Sequence, residues 1–184
     1  MSGSPEIIEA YRDYEPPFDV RRCVLRLGHH VEKRQLHGVR SIVLTNLDAL
    51  SRQARRRKSK SRGRKVGLDQ VAARYHPAWN NEPAWIELFI DQIFGDVPRW
   101  VLRIPPLRDM LLADTLFHEI GHHIHATQAP AHREKEDVAD AWSLRLRRQF
   151  FGKVYWYLVP IVIALLPLYR LARMFLERPG RARR

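Results

Sequence analysis

The stretch LFHEIGHHIH, residues 116–125, limits what this chain can fold into more than any other segment. His118 and His122 are four residues apart, and on a helix that spacing sets both imidazoles on one face, a turn apart, where they can share one tetrahedral ion. A helical pattern does run through the stretch, from about Leu107 to Ala126, with Leu111, Leu112, Thr115 and Leu116 as apolar or small contacts. Whatever else the chain builds has to present the metal-facing side of this helix to a partner.

Glu119 lies beside the first histidine and can reach a metal-bound water without ligating the metal itself. This is the HExxH arrangement of zinc hydrolases, in which zinc acidifies its water and the glutamate takes the proton and later delivers it to the leaving amine. A third ligand is required. The metzincin spacing would place a histidine at position 128, where this chain has Gln128. A second helical pattern, about Arg133 to Phe151, instead carries EKEDVADAW, with Glu136 and Asp140 four apart on one face. A carboxylate from a second helix completes a His₂Glu site, and an aspartate one turn later can hold a ligand histidine through its other ring nitrogen. Glu134 is an alternative to Glu136 but has Val138 where a carboxylate partner would stand; His132 is an alternative that would make a His₃ site. His123 and His125 point away from the His118/His122 face, which suits a structural or surface role, and Gly121 suits close helix packing.

HEIGHH followed after a short loop by EDVAD resembles the gluzincin metallopeptidases, most nearly the compact minigluzincin and ImmA/IrrE-like group. The similarity covers roughly residues 66–148. It implies an α+β fold: a small, twisted, mostly antiparallel sheet packed on an active-site helix and a second ligand-bearing helix. It also implies an edge strand that lies over the active-site helix and pairs with extended substrate, the place taken here by WIELFIDQIF. Carried over by position, it implies Zn²⁺ held by His118, His122 and Glu136, with Glu119 as general base and Asp140 behind the ligands. Such proteins often stabilise the oxyanion with a further Tyr or His, for which Tyr75, His76 and His132 are candidates.

The rest of the chain frames this site. Length and 45% hydrophobic content fit one domain, about residues 1–150, with an appendage over 151–184. The lone Cys23 excludes an internal disulfide and a cysteine-based zinc site, which suits a reducing compartment, and the polar, acidic start has no apolar core of a signal peptide. A helix is expected from Asp19, as N-cap, to about Leu36, with Gly38 ending it; strands are expected in VRSIVLTNLDAL, KVGLDQVAARYHP and WIELFIDQIF, and a further extended stretch in RWVLRIPP.

The net charge of +12 invites a nucleic-acid reading, but its distribution weakens it. Residues 51–65 carry nine Lys/Arg and no acid, and residues 170–184 carry six Arg and one Glu, so these two segments hold +14 and leave about −2 for everything else. The first reads as a solvated, mobile loop without the aromatic interleaving of single-strand binders. The sixteen uncharged residues VYWYLVPIVIALLPLY, 154–169, would make a helix of about 24 Å, short of the roughly 30 Å hydrocarbon core, and Pro160 and Pro167 would break it. Their terminal aromatics and flanking cations suit a monotopic or re-entrant contact with an anionic membrane surface, and burial on the domain and a short span are the alternatives. The expected activity is peptide-bond hydrolysis by an intracellular enzyme; the rival is a non-catalytic metal-containing module that binds membrane or nucleic acid through its basic segments.

Overall fold

The fold was determined as a computed structural model, which describes residues 4–51, 58–61, 64–67, 71–128 and 136–158, together with Pro160 and Ala164. The chain divides into two compact units, Met1–Gln149 and Phe150–Arg184.

The first unit is α+β, a four-stranded mixed sheet packed against helices. Strands β1 (Glu6–Ala10), β2 (Val39–Thr45), β5 (Ala73–His76) and β6 (Ala84–Phe89) lie in the order β1-β2-β6-β5. β1 pairs β2 and β2 pairs β6 in parallel, and only β5 and β6 are antiparallel, so the sheet is mixed rather than mostly antiparallel. Parallel neighbours need a crossover, and α1 (Val20–Gly28) supplies the one between β1 and β2. β1 itself is five residues long and buries only Ile7, which hides it in the acidic N-terminal stretch.

α1 starts where the capping signal puts it, with Arg22 N–H donating to the Asp19 carboxylate at 2.8 Å. It stops at Gly28 rather than Leu36. Glu32 and Gln35 form a local capping box that winds Lys33–Gln35 into a short 3₁₀ turn, and that turn competes with continuation of the helix. Val20, Cys23, Val24 and Leu27 form its buried stripe. The buried Asp109 carboxylate accepts from Cys23 Sγ at 3.2 Å and is ion-paired to Arg26, tying this stripe to the long helix described next. Burial, reinforced by the Asp109 carboxylate, pushes the Cys23 thiol up to about 12.

Two other expectations change. WIELFIDQIF is a strand only through Phe89; Ile90–Phe94 turns into a short helix, α2, whose buried residues Ile90 and Phe94 stand four apart with Asp91 and Gln92 between them, a helical spacing too short to be told from the end of a strand. RWVLRIPP is not extended: Arg99–Leu102 is a helical turn, α3, and Pro105 and Pro106 open the long helix α4 (Pro105–Gln128). Proline in a first turn loses no hydrogen bond and its φ is already helical. α4 buries Leu112, Ala113, Leu116, Phe117, Ile120 and Ile124 and packs on β5, β6 and α1. α5 (Glu136–Val154) follows.

Within the basic run, Lys58–Ser61 (β3) and Arg64–Gly67 (β4) pair antiparallel, where a loop was expected. The run of basic residues, with Lys60 in register with Lys65, shows none of the apolar–polar alternation that marks a strand. In the second unit, α5 ends at Val154, Trp156–Leu158 form a 3₁₀ turn, and the Tyr155 ring stacks near Phe151. Trp156 is 67% exposed; Ile161, Ile163 and Leu165 lie outside the described residues. Among the described residues no helix is long and apolar enough to cross a membrane.

Candidate metal centre

The helical spacing of the HExxH stretch delivers what it predicts locally. His118 Nε2 and His122 Nε2 are 3.0 Å apart on α4, with their rings nearly perpendicular. α5 brings Glu136 Oε2 to 3.3 Å from the first nitrogen and 3.8 Å from the second. Four bonds of 2.0–2.1 Å to a tetrahedral zinc imply ligand atoms about 3.3–3.4 Å apart, a spacing that the three separations of 3.0, 3.3 and 3.8 Å bracket. On the other side of the first ring, His118 Nδ1 donates to Asp140 Oδ1 at 2.9 Å. That bond puts the ring proton on Nδ1 and turns the bare Nε2 lone pair toward the shared point.

Glu119 is buried beside the pair, with a carboxylate oxygen within 4.8 Å of the histidine nitrogens. Residues 129–135, and with them the alternatives His132 and Glu134, lie outside the described residues.

Comparison with protein-family models, with curated proteins and with solved structures found no match.

The approach of α5 to α4 depends on Gly121. A Cβ at that position would meet the Ala139 carbonyl oxygen at 2.7 Å and its Cα at 2.9 Å, inside any real contact distance. Ser143 Oγ donates to the Asp114 carbonyl at 3.3 Å, and Arg147 pairs with the Asp114 carboxylate at 2.6 Å, so the same two helices are also pinned toward the start of α4. The helix packing expected of Gly121 thus sets the distance at which Glu136 and Asp140 meet His118.

The edge strand over α4 is β5, not the β6 segment WIELFIDQIF, which sits inside the sheet between β2 and β5. Strand order is a long-range property that reading along the chain does not reach. The β5–β6 turn is set locally: Trp79 and Glu82 exchange backbone bonds of 3.0 and 2.8 Å, and Asn80 and Asn81 take φ of 47° and 68°, as a two-residue type I′ hairpin requires. Of the oxyanion candidates, His76 stacks on Trp85 with ring centroids 3.7 Å apart and faces Glu87 Oε2 at 3.3 Å, on the sheet. Tyr75 Oη lies 3.1 Å from His123 Nδ1.

His123 is 1% exposed and His125 is also buried, so neither is a surface residue. Burial pushes the His123 imidazole pKa below the ordinary histidine value and keeps the ring neutral. Its Nε2–H donates to the His37 carbonyl at 3.0 Å. The sequence singles out Tyr75 as an oxyanion candidate and gives His123 a structural or surface role, but not the contact between them, which joins the edge strand to the sheet-facing side of the helix.

Proposed function

We propose that this chain is a zinc-dependent metallopeptidase of the gluzincin kind. The observation that carries the proposal is the set of separations, 3.0, 3.3 and 3.8 Å, among His118 Nε2, His122 Nε2 and Glu136 Oε2, with Asp140 holding the first imidazole from behind. Two neutral imidazoles and one carboxylate are a borderline donor set that suits zinc, and leaving a fourth corner open suits a catalytic site rather than a structural one. Zinc bound there would lower the pKa of its water to near 7.

Glu119 then acts as the proton carrier, taking a proton from the attacking water and returning it to the leaving amine of a peptide bond. Asp140 fixes the tautomer and orientation of His118, and α5 supplies Glu136 from the facing helix. A site whose metal served only structure would have no use for a carboxylate beside the water position.

The experiment is metal analysis of purified protein. One zinc per chain is expected, lost in His122→Ala and Glu136→Ala, and stoichiometric zinc retained by either variant would refute the ligand set.

A peptide or protein is the substrate class, and we place the protein in the cytoplasm, peripheral to an anionic membrane through its C-terminal segment. The terminal aromatics of residues 154–169, the exposed Trp156 and the arginines of residues 170–184 support that placement. The same charge favours one rival, a metal-containing binding module without catalysis, and a wild type that holds zinc yet cleaves no peptide in broad libraries would favour it.

A further inference from the structure

The metal-facing side of α4 is only half of what the HExxH turn presents. His123 follows His122 by about 100° around the helix, which carries its ring to the side that meets the sheet. There both ring nitrogens are engaged by elements distant in sequence. Tyr75, on the edge strand β5, donates its O–H to Nδ1 at 3.1 Å, with the two rings edge to face at 5.5 Å. On the other side Nε2–H donates to the carbonyl of His37 at 3.0 Å. Gly38, the next residue, has φ +92°, in the left-handed region. A Cβ there would meet His123 Cε1 only at an ordinary 3.8 Å, so it is the backbone turn presenting the His37 carbonyl, not lack of room, that calls for glycine.

We infer that Tyr75 and His123 form a latch that fixes the rotation and axial position of the HExxH turn against β5 and the start of β2, making Tyr75 a positioning residue for the metal centre. The inference rests on the metallopeptidase reading above. A neutral imidazole has one donor and one acceptor in fixed directions, so satisfying both leaves the helix a single rotational setting. A 1% exposed ring that lost one partner would leave a buried polar atom unpaired, and the helix would turn to relieve it. Because His122 is the next residue on the rigid helix, such a turn moves its Nε2 relative to Glu136, which is anchored on α5. The latch therefore also occupies the Tyr75 hydroxyl, whose role is to hold the helix rather than to meet substrate.

The test uses cobalt(II) as the probe, since its visible absorption reports ligand geometry independently of turnover. Tyr75→Phe and His123→Leu are expected to shift the cobalt band and weaken cobalt binding about 10-fold or more. His123→Gln, which keeps one donor and one acceptor, should restore the wild-type spectrum. Val24→Ala on α1, a buried truncation away from the latch, should lower the melting temperature and leave the spectrum unchanged. Should His123→Leu fail to fold, Tyr75→Phe carries the measurement. A wild-type spectrum and affinity in Tyr75→Phe, or a shift of equal size in Val24→Ala, would overturn the latch while leaving the ligand set intact. A wild type that binds no cobalt would overturn the metal reading and the latch together.

Discussion

Asp140 Oδ1 accepts the Nδ1 proton of His118 at 2.9 Å, although the two residues stand on different helices and twenty-two positions apart. The pair is half open to solvent on the aspartate side, so its value lies in orientation more than in charge. Replacing Asp140 with Ala should leave the fold intact and weaken zinc about 10- to 100-fold, measured by competition with a chromophoric chelator. Unchanged affinity would show that His118 is oriented without it.

Gly121 makes the second prediction. Adding one methyl forces Ala139 and the start of α5 outward, because the obstructing atoms are backbone and cannot rotate away. Gly121→Ala should cost about 1–3 kcal/mol in chemical denaturation despite the better helix propensity of alanine, and should weaken zinc as Glu136 withdraws. A stabilised variant with full zinc affinity would contradict the role assigned to this contact.

How far the chain could be read follows from which interactions are local. The placement of His118, Glu119 and His122 and of the Glu136/Asp140 pair is decided by spacing along one helix each, and Asp19 caps α1 by a bond to a residue three positions on. The short helices after Phe89 and Pro98 were hidden because segments of four or five residues are too short to carry a period that separates helix from strand. The edge role of β5 and the Tyr75–His123 bond depend on strand order, forty-eight residues apart in the second case, and no local pattern encodes that.

Cys23 tests the packing of α1 on α4. With its thiol pushed up to about 12, chiefly by burial, the folded protein should resist alkylation by iodoacetamide at pH 8 and react fully once denatured. The linkage sign follows: an unfolded thiol ionises near pH 8.5 while the folded one stays neutral, so this group favours unfolding as pH rises from about 8.5 toward the folded value. Rapid alkylation of folded protein at pH 8 would mean that Cys23 is not sealed against Asp109.

In the proposed mechanism, hydrolysis turns on Glu119. Glu119→Gln preserves size and leaves His118, His122 and Glu136 untouched while removing the proton acceptor. Zinc content and peptide cleavage should be measured on the same preparations of wild type and variant. The account predicts one zinc per chain in both and cleavage by wild type alone, reduced at least about 100-fold in the variant. Zinc-loaded Glu119→Gln that cleaves as fast as wild type would contradict it.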